Sequence, residues 1–278
     1  NPIVNLLDIT LSTLRKSLYD CAYIGPMREA PQRKYILGKN LMDHITPTGD
    51  SIFNLFLQDG GFELLEKVNK WLKNFDLEYQ IALSVVIRDE RTIKIDDPSN
   101  KDPIEITETI DEPYKPIDEQ DLREKMEHYR NSINVNIKLI DQTYDSEVSL
   151  VDVGFGVSQI LPIIIQSLAS NNKILLIEQP EVHIHPRLQA EVGSLLVECI
   201  KPPFNNQFII ETHSEALILR IQKLMRKGIL KKTQISVVYI ERNSKGSQCL
   251  KLRLNRSGKF IDDWPDGFFE ESFDEIFD

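Results

Sequence analysis

The chain has 278 residues, 41% of them hydrophobic and 27% charged, with a formal net charge of -10. That is the make-up of an ordinary globular protein, with length for one large or two modest domains. The acidic balance excludes a generally basic nucleic-acid-binding surface, though not a local basic stripe.

In chain order, Val4–Tyr19 is predicted to be a helix, with Leu7, Leu11, Leu14 and Leu18 on one stripe. Cys21–Ile24 reads as a short strand leading into the turn-rich Gly25-Pro26-Met27-Arg28-Glu29. Arg28 and Arg33 stand equally as contacts to phosphate or nucleic acid and as surface or ion-paired residues. Ser51–Leu57 and Gly61–Asn74 are expected to be helical, the second with Leu64, Leu65, Val68 and Leu72 at helical spacing. Ile81, Leu83, Val85 and Ile87 alternate within Tyr79–Ile87, as in a half-buried strand.

Asp89–Glu127 holds fourteen acidic residues against six basic ones, together with Pro98, Pro103, Pro113 and Pro116. A solvated insertion of short strands, loops and one surface helix near Asp118–Tyr129 accounts for this better than a docking arm for a basic partner. Ile133–Ile140 alternates as an antiparallel strand does. His44 and His128 are isolated and read as surface residues.

After Ser149 the pattern changes. Lys173–Ile177, Phe208–Ile210 and Ile235–Ile240 are short Ile- and Val-rich runs, suited to strands buried on both faces. Helical patterns at Arg187–Ile200 and Ser214–Lys227 separate them. Strand–helix–strand–helix–strand with short connections predicts an α/β core with a parallel sheet. A hairpin is expected near Gln248–Leu254, followed by an acidic tail.

Ligands of open parallel sheets bind outside the carboxyl ends of the strands. Two of the apolar runs end in Glu178-Gln179-Pro180-Glu181 and Glu211-Thr212-His213-Ser214. A carboxylate so placed can hold Mg²⁺ opposite nucleotide phosphates. A histidine on the neighbouring strand end can reach a terminal phosphate or an attacking water. Upstream, Asp152-Val153-Gly154-Phe155-Gly156-Val157-Ser158-Gln159 precedes an apolar helix running to about Ala169. Pro162 is expected near the start of that helix, setting its N-terminus at Val157–Gln159. Free N–H groups there, with the Ser158 hydroxyl, would make an anion site.

Other features bound the setting. The longest apolar stretch, Ile160–Ala169, is interrupted by Pro162 and Gln166, and no membrane partner is expected. Cys21, Cys199 and Cys249 show no C-x-x-C spacing, as in reduced thiols of a cytoplasmic protein rather than a disulfide framework or zinc site. No signal peptide opens the chain, and a start at Asn1 rather than Met leads us to expect that the native chain begins earlier.

The order of glycine-rich loop and helix, strand ending in acid-x-Pro, and strand ending in Thr-His-Ser resembles ABC-type ATPase heads of the SMC, RecF and OLD kind. Within that group, Asp152–Gln159, Leu176–Pro186 and Glu211–Ser214 are similar to bacterial AAA-labelled, OLD-like ATPases of genome-maintenance and phage-defence operons. Tyr23–Glu29 and Trp264–Phe269 are similar to flanking segments of that group.

The resemblance implies an α/β fold, the C-terminal lobe of an ABC-ATPase head with a parallel sheet, plus an α+β insertion before the signature motif. The organisation is then a mixed α+β region over 1–148 that includes the acidic insertion, a signature, Walker B and switch-histidine lobe over 149–242, and a C-terminal hairpin and acidic tail over 243–278. Gly154, Phe155, Gly156, Ser158 and Gln159 would form the signature loop, contacting ATP held by the opposite subunit. Glu178 would serve Mg²⁺, His185 and Pro186 would lie in the D-loop, and Gln179, Glu181 and His213 would be catalytic candidates. A transition-metal site at His183-x-His185 is the less favoured reading of that segment.

Three departures stand out. No G-x-x-x-x-G-K-[ST] occurs in the sequence, so the ATP site would have to be completed by a P-loop lying elsewhere. Gly154 stands where the signature serine is usual. Gln179 stands where many ABC ATPases carry the catalytic glutamate, and an amide orients water but does not accept its proton. The expected function is an ATP-binding, ATP-hydrolysing head that forms a homodimer or higher oligomer. It would control an effector such as a nuclease, or act on nucleic acid. The alternative is an ATP-gated scaffold with little turnover. A TOPRIM nuclease within the chain is not expected, since 38 residues follow Ile240.

Overall fold

The structure is a computed structural model that describes residues 11, 21–32, 36–37, 47–49, 51–87, 89–95, 104–110, 117–129, 133–244 and 246–264. The predicted helix at 4–19, apart from Leu11, lies outside the described residues, as do Arg33, His44 and the segment 265–269.

In chain order the elements are β1 (Cys21–Ile24), β2 (Ile36–Leu37), a 3-10 helix (Ile52–Leu57), α1 (Gly61–Asn74), β3 (Tyr79–Ile87), β4 (Asp89–Ile95) and β5 (Ile104–Ile110). There follow α2 (Glu119–Tyr129), β6 (Ile133–Asp141), β7 (Ser146–Val148), α3 (Phe155–Ala169), β8 (Ile174–Glu178), α4 (Pro186–Cys199), β9 (Gln207–Glu211) and α5 (Glu215–Arg226). A short 3-10 turn (Lys232–Gln234) then leads to β10 (Val237–Asn243) and β11 (Gly246–Leu252).

The fold is mixed α/β. β1, β8 and β9 form a parallel sheet with β8 in the middle. Its register pairs Ile24 with Ile177 and Glu178 with Glu211, so the three strands stop together at one end. A second sheet is antiparallel, in the order β2-β6-β3 with β7 also on β6. Here the alternation of the sequence is realised directly, with Ile81 opposite Leu139, Leu83 opposite Ile137 and Val85 opposite Val135. β4 and β5 make a separate antiparallel ladder within the acidic insertion. Helix α1 packs on β3 and on α3, α3 on α4, and α4 on α5. One continuous core runs through both sheets, from Leu72 and Leu83 to Ile164 and Leu195.

One expectation is met in a tighter form, and two are corrected. Ser51–Leu57 folds as a 3-10 helix over Ile52–Leu57, closed by the Gln58 N–H on the Leu55 carbonyl. Pro162 lies inside α3 rather than in its first turn, because the helix starts at Phe155. An interior proline costs about 3 kcal/mol, and the burial of α3 from Val157 to Leu168 offsets it. The run Ile235–Ile240 does not join the parallel sheet. β10 pairs antiparallel with β11, Ile240 opposite Cys249, and the expected 248–254 hairpin is the second strand of this ladder. Burial on both faces also fails there: Val238 is 51% and Ile240 67% exposed. β9 is likewise half-buried, with Ile209 on an open face.

Candidate functional site

Each parallel strand ends in a loop that carries polar groups, and a helix then leads away. At β8 the chain turns sharply at Gln179, whose φ of +43 is left-handed for a residue with a side chain. Such a conformation costs on the order of 1–3 kcal/mol and persists only where its surroundings fix it. Here the Gln179 N–H donates to the Glu211 carbonyl (2.8 Å). From the other side the Arg28 guanidinium donates through Nη2 to the Glu178 carbonyl (3.2 Å) and the Gln179 carbonyl (2.9 Å).

Arg28 is buried, at 6% exposure. Burial pushes its pKa down to about 10, partly countered by the nearby Glu181 carboxylate, so it stays cationic at neutral pH. Of the readings surface or ion-paired residue, its burial removes the first, and the Glu181 carboxylate acts on its charge as the second expects. The Tyr23 hydroxyl on β1 donates to the Glu178 carboxylate, which raises the tyrosine's pKa. Glu178 is half-buried and opens onto the strand ends.

Glu181 reaches across to β9. Its Oε2 accepts from the Thr212 hydroxyl (2.7 Å) and its Oε1 from the His213 N–H (2.6 Å). The Ser214 hydroxyl caps α5 by accepting from the Leu217 N–H, and it donates to the Gln189 side chain of α4 (2.6 Å). His213 itself is exposed. Its imidazole therefore projects from a rim whose backbone is held on both sides. The Gln179 side-chain amide lies 3.4 Å from Glu211 Oε1.

The glycine-rich loop meets this rim at the 181–185 segment. Gly154 has a φ of +88, which glycine adopts freely. A Cβ on Gly156 would lie 2.9 Å from the His183 carbonyl oxygen, so only glycine lets the start of α3 approach so closely. Phe155 packs edge-on against the His183 ring, with centroids 5.0 Å apart. Gly154 and Phe155 are exposed and Gly156 is half-buried, whereas Ser158 and Gln159 are buried. The Ser158 hydroxyl donates to the Phe155 carbonyl (2.7 Å), inside its own helix. The Ser158 hydroxyl is thus engaged within its own helix, and the exposed part of the loop is Gly154 and Phe155.

His185 caps α4, its Nδ1 accepting from the Arg187 N–H (3.3 Å), with Pro186 at the first helical position where a missing N–H costs nothing. With His183 on Phe155 and His185 on a backbone N–H, these histidines face different partners. Among the described residues no group of three or more His, Cys, Asp or Glu forms a closed metal cage. A lone carboxylate such as Glu178 suits Mg²⁺, which is held by one or two carboxylates together with phosphate oxygens and water. At His128 only the backbone is described, in α2. The contacts of Arg28 with the strand-end carbonyls and of Glu181 with Thr212 and His213 are the part of the site that sequence reasoning missed.

Comparison with known proteins follows the same outline. Residues 58–218 match the AAA ATPase domain family. Residues 230–278 match a family of proteins of unknown function, DUF3696. No curated protein matches the chain. Among solved structures, the chain is similar to an SMC ATPase studied for ATP-driven dimerisation and DNA-stimulated activation, at 11% identity and TM-score 0.39, covering 72% of this chain and 89% of that one. It is similar to an Smc head bound to the C-terminal winged-helix domain of ScpA, at 10% identity and TM-score 0.43, covering 74% of this chain and 50% of that one. It is also similar to an Smc head with an extended coiled coil bound to the C-terminal domain of ScpA derived from Pyrococcus furiosus, at 11% identity and TM-score 0.42, covering 72% of this chain and 37% of that one. The chain thus spans half or less of the length of the last two.

Proposed function

This chain belongs to the AAA ATPase domain family, and from that premise we propose that it binds and hydrolyses ATP as an OLD- and SMC-like ABC-type head. The carrying observation is the common ending of β8 and β9, with Glu178 and Gln179 beside His213. The start of α3 packs against the following loop. These residues fit the magnesium and terminal-phosphate side of a nucleotide site. A Walker A cradle is not among them.

When bound, Mg²⁺ would polarise the terminal phosphoryl oxygens and neutralise charge that develops on them. Glu178 would hold that ion. The N–H groups of residues 154–156, at the positive end of the α3 dipole, would contact a phosphate presented by the opposite subunit. Gln179 would orient water through its amide, and His213 would donate to the phosphoryl group as it departs. His185 and Pro186 would border the contact between two heads. The working unit is then a homodimer or higher oligomer in the cytoplasm. Its ATP cycle controls an effector such as a nuclease or acts on nucleic acid, with phage defence a fitting setting.

The test is ATP turnover in the full-length native protein. Glu178→Gln and His213→Ala should each lower it by about 100-fold or more. Wild-type turnover in both variants rejects the proposal. Gln179 favours a second reading, an ATP-gated scaffold with negligible turnover that docks effectors. That reading predicts ATP-dependent dimerisation without phosphate release, and phosphate release gained by Gln179→Glu.

A further inference from the structure

We propose that Arg28 and Glu181 form a brace across the ends of β1, β8 and β9 that sets the positions of Gln179 and His213, with Glu181 a positioning residue and not the base for water. The inference rests on the ATPase reading for its kinetic consequence, while its structural consequence stands apart from it.

The geometry has two halves. Arg28 follows β1, and its Nη2 donates to two successive carbonyls 150 and 151 residues away, at the left-handed turn where β8 ends. A buried guanidinium is a costly way to make a stable core, since apolar residues of similar volume are often neutral or better. Nε and Nη1 of Arg28 have no hydrogen-bond partner among the described residues, which makes a purely stabilising role weaker still. What the arginine does secure is the peptide on either side of Gln179. Without it, two carbonyls at the strand end lose their donor and the strained turn loses one of its restraints.

Glu181 supplies the second half. Both carboxylate oxygens accept short hydrogen bonds, one from the Thr212 hydroxyl and one from the His213 N–H. Bonds to an ionised acceptor are about twice as strong as neutral ones. Protonating either oxygen would remove charge from the carboxylate and so weaken its bonds to Thr212 and to the His213 backbone. The same loop that presents Gln179 therefore also fixes where His213 leaves β9. Ser214 and Gln189 extend the linkage to α4 and α5. The three strand ends are held as one unit, with Glu178 on the Tyr23 hydroxyl, the Gln179 amide 3.4 Å from Glu211 Oε1 and the His213 side chain exposed.

The experiment compares Glu181→Gln, Thr212→Val and Thr212→Ser in the full-length native protein. Each is followed by steady-state ATP hydrolysis, by thermal melting and by NMR of the histidine rings. The sequence has five histidines, few enough for His213→Ala to identify the His213 signal. The brace predicts that Glu181→Gln and Thr212→Val both displace that signal and both lower kcat by about 10- to 100-fold, with KM within about threefold. Thr212→Ser keeps the hydroxyl and should restore signal and rate. A melting temperature near that of the wild type shows that each variant is folded. Loss of turnover in Glu181→Gln, with wild-type turnover and an unmoved His213 signal in Thr212→Val, would make Glu181 the base and overturn the proposal. An unmoved signal in both variants would overturn it as well. If the wild-type protein hydrolyses no ATP, the ATPase reading falls, and the His213 signal alone still decides whether the brace exists.

Discussion

The two larger sheets share one core and differ in what they do with their strand ends. In the antiparallel sheet, β3 and β6 bury Ile81, Leu83, Val135, Ile137 and Leu139 on one face. β6 runs into a turn at 142–145, and surface pairs such as Lys138 with Glu147 decorate the outside. In the parallel sheet, β1, β8 and β9 stop together and each is followed by a polar loop. Parallel strands must return by a crossover, so their carboxyl ends gather on one edge and the loops meet there. An antiparallel sheet scatters its strand ends over both edges. The lesson is that polar groups collect where topology brings several chain directions to the same place, while both sheets contribute to the core.

Substitutions sharpen that difference. Leu83→Ala in the antiparallel sheet removes a side chain that is 1% exposed, and it should cost about 2–5 kcal/mol in unfolding free energy. Denaturant titration measures this, and turnover per folded molecule should be unchanged. Gly156→Ala acts at the other sheet. Its new Cβ, 2.9 Å from the His183 carbonyl, forces the start of α3 away from the strand-end rim. Turnover should fall about 10- to 100-fold with little change in melting. If Gly156→Ala lowers stability as much as Leu83→Ala and leaves turnover intact, the division between the two regions is broken.

The smallest effect lies away from both sheets, at Asp262. The Arg253 guanidinium hydrogen-bonds this carboxylate, and the Arg253 N–H adds to it, holding its pKa below the usual carboxylate range. A carboxyl depressed in the folded state contributes stability above its unfolded value of about 3.9 and loses it as pH falls through the folded value. Asp262→Asn should therefore be slightly less stable than wild type at neutral pH, with the gap closing in acid. Melting curves across that range check the sign. A gap that widens in acid contradicts it.

Much of this arrangement was legible in the sequence, because it depends on local pattern. The helical spacing of Leu64, Leu65, Val68 and Leu72 gives α1, and the alternation of β3 and β6 gives their buried face. The strand-end motifs at 178–181 and 211–214 stand together because their strands are neighbours in register. What was not legible is non-local. An Ile- and Val-rich run such as 235–240 reads the same in a parallel sheet as in a hairpin, and only its partner, β11, decides. The apolar residues around Pro162 concealed how far inside its helix it lies, since packing outweighs the local preference. Arg28 reaches carbonyls 150 residues away, a contact with no spacing signature. Glu181 reads as a catalytic candidate, and the contacts of its two oxygens with Thr212 and His213 have no local spacing signature either.

The most direct test of the central claim is phosphate release from ATP by the full-length native protein, with Glu178→Ala set beside Glu147→Gln. The first removes the carboxylate at the end of β8, and the second alters a surface carboxylate of the antiparallel sheet. Release should fall by about 100-fold or more in Glu178→Ala and stay at the wild-type rate in Glu147→Gln. Equal rates in the two variants would contradict the assignment of ATP chemistry to the parallel strand ends.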